Sequence, residues 1–154
     1  MRLRPIEPGD EPLLQDLLDH MSREDVRLRF FAPIHHLGPA LAHKLSNPDP
    51  LRDIALAALP IEGEEILGVG RLSADGSRRR AEYALAVRTD MKGHGLGFVL
   101  LTHLLDHART RGIAEIWGDV MRENQAMLQM CRELGFVVTD HPDEADLYRV
   151  ERRL

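Results

Sequence analysis

"VRTDMKGHGLGFVLL", residues 87–101, is the stretch whose reading decides the fold. Gly93, Gly95 and Gly97 alternate, and a helical pattern of leucines follows at once. A glycine-rich segment in that place is either a turn before a helix or a cradle for phosphates. The dinucleotide fingerprint needs G-x-G-x-x-G after the first strand of a βαβ unit. Here the spacing is G-x-G-x-G, after what reads as the fourth strand. The P-loop string G-x-x-x-x-G-K-[ST] is absent. Both nucleotide readings fail on spacing. A cradle remains open, because unpaired N–H groups at a helix N-terminus favour an anion. Glycines let the backbone come close to it. Lys92 and Arg88 stand alongside. Spacing alone leaves turn and cradle equally open.

Outward from that segment, the pattern alternates between two periods. Residues 2–7 read as a strand with Pro5 at an edge or start. Asp10 caps a helix to about Met21, with Leu13, Leu14, Leu17 and Leu18 as its apolar stripe. Ser22 and Asp25 resemble a capping arrangement before a second helical turn, and "GPALAHKLSN" reads as another short helix. Residues 53–60, 65–73 and 80–88 read as three strands joined by "EGEE" and "ADGSRR". Leu96, Leu100, Leu101, Leu104, Leu105 and Ala108 give a helix that Gly112 stops. "IAEIWGDVM" is a strand, Asn124 opens a helix through Leu134, and "FVVT" and "ADLYRVER" are two further strands. We count the order as strand, two helices, three strands, helix, strand, helix, two strands. An antiparallel meander joined to one βαβ crossover is an α+β (mixed α/β) fold. About seven mostly antiparallel strands carry helices on both faces.

Composition sets the outer limits. The 154 residues suit one domain, residues 1–154. At 44% hydrophobic and 29% charged, the chain has the makeup of a folded globular protein. The longest apolar run, near residues 54–61, falls far short of the roughly 20 residues of a membrane helix. The N-terminus has no signal-peptide core, so a cytoplasmic protein without membrane contact is expected. A net charge of −5 argues against nucleic acid as the main partner. The lone Cys131 forms no internal disulfide, and no Cys/His spacing suits zinc. His103 and His107 share a helix face without a third ligand, so no metal is expected.

Two segments together carry a resemblance. "VRTDMKGHGLGFVLLTHLLDHARTRG" resembles motif A of the GCN5-related N-acetyltransferase (GNAT) superfamily, [Q/R]-x-x-G-x-[G/A], with Lys92 at the Gln/Arg position and Gly95 and Gly97 at the small ones. "NQAMLQMCRELGF" is similar to motif B, N-x-x-A-x-x-L-Y-x-x-x-G-F, in Asn124, Gly135 and Phe136. The element order is also that of the superfamily. "SREDVRLRFFAP" and "AEYALAVRTDMKGHGLG" are similar to the catalytic domain of bacterial Pat-type protein lysine acetyltransferases.

The resemblance implies that the fourth and fifth strands part and that acetyl-CoA lies in the gap. The backbone of Leu85, Ala86 and Val87 would hold the pantetheine arm. The N–H groups of Lys92, Gly93, His94, Gly95, Leu96, Gly97 and Phe98 would bind the pyrophosphate. Asn124 would cap the next helix and meet the cofactor arm. The acceptor implied is a primary amine, with a protein lysine preferred and a small amine such as a polyamine, amino acid or aminoglycoside as the alternative; residues 22–47 would shape its entrance. An amine of pKa about 10.4 must lose a proton before it attacks. Glu82, on the strand that delivers the cofactor site, is the candidate base, because a glutamate near this place serves so in several relatives. Its structural alternative is an ion pair with an arginine of "SRRR". Where many relatives carry a tyrosine that protonates the leaving thiolate, this chain has Cys131. Either the thiol substitutes poorly or solvent supplies the proton; Tyr83 and Tyr148 are other hydroxyls. An acetyl-CoA-binding sensor without transfer stays a third reading. A monomer or homodimer is expected.

Overall fold

The computed structural model describes residues 1–32 and 34–154. Its strands are β1 (Arg2–Pro5), β2 (Asp53–Leu59), β3 (Gly68–Ala74), β4 (Arg80–Val87), β5 (Glu115–Met121), β6 (Val137–Asp140) and β7 (Leu147–Arg153). Its α-helices are α1 (Glu11–Asp19), α2 (Arg23–Phe30), α3 (Pro39–Ser46), α4 (Leu96–Thr110) and α5 (Gln125–Glu133). The seven strands form one sheet in the order β1-β2-β3-β4-β5-β7-β6. Only β4 and β5 run parallel, across the α4 crossover. The mixed seven-stranded architecture expected from the sequence is present.

Two local expectations change. Three helices, not two, precede β2. Ser22 accepts a hydrogen bond from the Asp25 N–H, and what read as a helical turn becomes the eight-residue α2. The third strand begins at Gly68 rather than residue 65. The β2–β3 register sets Ala58 against Gly68, so Ile66 would face Pro60, which has no N–H to continue the ladder.

Alternation along β4 divides the core in two. Ala81, Tyr83 and Leu85 face α4 and α5 and join their leucines in one buried cluster. Ala86 packs on the other face, against the cluster under α1, α2 and α3. The stripe of Leu100, Leu101, Leu104 and Leu105 is fully or almost fully buried. By the usual cost of truncating such a leucine, each anchors α4 by about 2–5 kcal/mol.

The central constraint lies between β4 and β5. Their parallel ladder has three pairs: Arg80 with Glu115, Ala81 with Ile116, and Glu82 with Trp117. β4 runs on to Val87 and β5 to Met121, each still paired on its outer side. The next pair would set Tyr83 against Gly118. A Cβ on Gly118 would strike the Tyr83 ring. That ring is buried, meets Phe136 edge-on at 5.7 Å, and turns its hydroxyl to the Cys131 Sγ at 3.2 Å. Tyr83 is thus a wedge at the point where the strands part, and Gly118 makes room for it.

Gly118→Ala therefore overpacks the wedge. We expect a loss of about 1–3 kcal/mol in urea unfolding, the usual cost of an added methyl in a close-packed site. Removing the ring as well, in Tyr83→Leu/Gly118→Ala, should recover part of that loss.

Candidate active site

Beyond the third pair, one edge of β4 has no strand beside it. The Arg88 N–H donates to the Leu67 carbonyl at 2.9 Å, toward β3. By strand alternation, the N–H and C=O of Leu85 and Val87 point the other way, into the gap. Such groups need partners when covered. The gap opens a cleft of about 380 Å³ between β4, the start of α4 and α5.

The glycine segment closes one end of that cleft. Gly93 and Gly95 both have φ near +80°, a conformation that side chains with a Cβ resist. Gly95 stands at the N-cap of α4 and offers no side-chain acceptor to the first-turn N–H groups. These donors and the helix dipole make a site for an anion. Gly97 keeps the wall of the cleft free of a side chain. A pyrophosphate and an extended amide-bearing arm therefore fit the donors present. One expected donor is taken, for the Lys92 N–H is already given to the Thr89 carbonyl at 3.3 Å.

Lys92 also reaches away from the helix. Its Nζ pairs with Asp25 Oδ1 on α2 at 2.7 Å, and the Thr89 hydroxyl donates to Asp25 Oδ2 at 2.6 Å. Burial pushes the Asp25 carboxyl up, but the hydrogen bonds from Lys92 and Thr89 outweigh it and leave it below the usual range. Arg88 is occupied by Asp90 at 2.8 Å. The loop is thereby tied to α2.

Nearer the start of β4 lies a second cavity, a chamber of about 390 Å³. Its walls come from α2, α3, β2, β3, β4 and β5, among them Arg29, Phe30, Phe31 and Leu45. Glu82 opens into it. The chamber and the cleft share Leu28, Arg29, Leu85, Asn124 and Met127, so they meet at one junction. Asn124 accepts the Met127 N–H at 3.3 Å as the α5 cap.

Glu82 makes no ion pair among the described residues. Arg80 of the "SRRR" turn instead pairs with Glu115 at 2.9 Å and Glu151 at 3.4 Å and lies over Trp117. Desolvation by the chamber walls pushes the Glu82 carboxyl up, Asp119 adds to this, and Arg29 and Arg149 oppose it.

Most of the sequence-predicted residues come together: Leu85, Ala86, Val87, Lys92, Gly93, Gly95, Leu96, Gly97, Phe98 and Asn124 all line the cleft. His94 does not line it, and its side chain is exposed. Cys131 is the clear departure. It is 0% exposed and lines neither cavity. The wedge explains this, because the Tyr83 hydroxyl covers the thiol. The sequence reading also missed how Arg29 and Arg71 converge on the chamber. Arg71 sits mid-strand in β3, where a charge on a half-buried strand was the available signal.

A parted β4–β5 pair, a glycine-nested helix N-terminus and a carboxylate across the strand define an acyl-CoA-dependent transferase. Residues 13–136 match the model of the acetyltransferase (GNAT) family, and the chain belongs to that family. Acetyl-CoA is its co-substrate and an amine its acceptor. The chain is 30% identical over 145 residues to acetyltransferase PA5475 of Pseudomonas aeruginosa, covering 93% of this chain and 78% of that one. The GNAT domain of S. lividans PAT superposes with a TM-score of 0.91 at 28% identity, covering 99% of this chain and 90% of that one. The acetyltransferase yncA of Salmonella typhimurium, solved with acetyl-CoA, shares the fold with a TM-score of 0.79 at 20% identity, over 99% and 93% of the two chains. No helix among the described residues is long and apolar enough to cross a membrane.

Two outcomes follow. Gly95→Ala forces a Cβ into the left-handed region at a cost of about 1–3 kcal/mol. Calorimetric affinity for CoA should fall about tenfold or more while the circular dichroism spectrum is kept. Asp25→Asn should cost about 1–3 kcal/mol at neutral pH. The Asp25 carboxyl is depressed on folding, so its contribution is complete above the unfolded value near 3.9 and fades as pH falls below it. The stability gap between the two proteins, read by urea unfolding, should be constant above about pH 5 and narrow below about pH 4.

Proposed function

We propose that the chain, as a single catalytic domain, acetylates a primary amine by direct attack, with Glu82 as general base. The observation that carries this reading is the junction between the two cavities. The thioester carbonyl that acetyl-CoA supplies would reach the junction from the cleft, and the amine would reach it from the chamber. Leu85 and Val87 would hold the arm by backbone hydrogen bonds. The donors from Gly93 to Phe98 would hold the pyrophosphate.

Glu82 is on the acceptor side, which is where a base for the amine has to be. It takes one proton from the ammonium, directly or through a water. The freed lone pair forms the C–N bond as the C–S bond breaks, and the nitrogen's second proton passes to solvent as the amide forms. The thiolate leaves and is protonated by solvent, since no tyrosine is among the described residues lining the cleft. Cys131, sealed behind Tyr83, takes no part.

A protein lysine and a small amine both satisfy this chemistry. The chamber favours the small amine. It is walled by Phe30, Phe31, Leu41 and Leu45 around charged groups, and so suits an acceptor that fits inside it. The cations Arg29, Arg71 and Lys44 in its lining oppose a polyamine.

Glu82→Gln should lower kcat about 10²–10⁴-fold with CoA affinity unchanged. A base with a raised pKa stays protonated and inactive to higher pH than an ordinary carboxylate. Activity in the parent protein should therefore rise as pH climbs through that raised value. The Gln variant should lose this limb and keep only the one set by the acceptor amine. A Gln variant with full kcat at neutral pH sinks the assignment.

A further inference from the structure

The chamber holds two arginines that its walls do not satisfy. Arg29 comes from α2 and Arg71 from β3. Both are largely covered, and among the described residues neither has an ion pair within 4.0 Å or a hydrogen bond to protein. The Arg29 guanidinium lies over the Phe30 ring, 4.6 Å from its centre, which holds it by an apolar face and leaves its N–H fork unused. Each acts on the other as a like charge. Burial and the Arg29 charge push Arg71 down to about 10, so it stays cationic at neutral pH. Guanidiniums that face a cavity without a protein partner are groups that an anion can complete with charge-assisted hydrogen bonds.

The other charges of the chamber do not complete it. Asp119 is held by Arg149 at 2.6 Å. Asp53 receives the Ser73 hydroxyl at 3.0 Å and the Asp49 N–H at 2.9 Å. Lys44 adds a further cation. Glu82 has Arg29 as a distant opposite charge and stays open to the chamber. The lining thus presents a carboxylate for a cation and an arginine pair for an anion, inside one cavity. Arg29 lines both cavities and so reaches the junction itself, where the acceptor's amine has to lie.

From this juxtaposition we infer that the acceptor is a zwitterion, a free amino acid whose carboxylate is bound by Arg29 and Arg71 while its amine faces Glu82. Two guanidinium forks match the planar geometry of a carboxylate. Phe30, Phe31, Leu41 and Leu45 then receive the side chain, which favours apolar amino acids. This inference rests on the transfer chemistry proposed above but names a substrate class that transfer alone does not require.

The test compares L-leucine, L-methionine and L-phenylalanine with their amides, an N-terminally blocked lysine peptide, and spermidine. The free acids should exceed their amides in kcat/KM by about 100-fold or more, because a site built for a polar group rejects the analogue that lacks it. Arg71→Met should remove most of that ratio by slowing the acids, with the amides changed less than threefold; Arg29→Met should lower the ratio as well, with a further loss on both because Arg29 also lines the junction. The thermal midpoint of Arg71→Met should equal or exceed the parent's, since it removes a largely covered cation on which Arg29 acts as a like charge. Glu82→Gln should slow acid and amide alike and leave the ratio intact. CoA release from several amines without an acid-over-amide preference overturns this inference and spares the transferase reading. Faster turnover of the lysine peptide or of spermidine overturns it as well. Calorimetry on the CoA complex carries the test independently of turnover. Acid binding that exceeds amide binding and is lost in Arg71→Met supports the inference; equal binding, or none, overturns it.

Discussion

Three residue pairs of parallel ladder hold β4 to β5, and everything functional depends on the ladder ending there. A longer ladder would use the backbone groups of Leu85 and Val87 for the sheet itself. A shorter one would leave the α4 crossover without an anchor. The wedge of Tyr83 against Gly118 sets the length. Outer pairing to β3 and β7 keeps both strands straight past the split, so the gap is a fixed slot. Its unused hydrogen-bonding edge is a cost to stability that a bound amide-bearing arm would offset.

The one strand β4 serves two cavities, the chamber through residues 82–85 and the cleft through residues 85–87. The odd positions of β4 face the α4 leucines and hold the slot's floor. Glu82 and Ala84 face the chamber. Ala84 is small, and so it leaves the chamber its volume at mid-strand. The two cavities meet at Leu85 of this strand, so groups held in each approach one point without competing for space.

The legible part of the sequence was whatever is written in consecutive residues. Helical leucine spacing gave α4, and turn chemistry gave the β2–β3–β4 meander. The glycine segment was ambiguous by spacing, and its place behind a fourth strand resolved it. Asn124 as a cap follows from side-chain chemistry and is what the structure has. The ring that covers Cys131 was not legible, because it comes from 48 residues away. Arg29 and Arg71 were opaque for the same reason. Neither is unusual in its own segment, and their meaning appears only where α2 crosses β3.

The position of α2 links these features. One turn of it supplies Asp25, which fixes Lys92 and Thr89 of the cofactor loop. The next supplies Arg29, which faces the acceptor chamber. Residues four apart on a helix share a face, so both groups move with the same rigid element. Lys92 of the cofactor loop is held by a carboxylate on the helix that carries Arg29. The helix α2 therefore borders both sites, tying the cofactor loop with one turn and lining the chamber with the next. The depressed Asp25 carboxyl keeps that tie ionised at neutral pH, and with it the alignment of loop, helix and chamber.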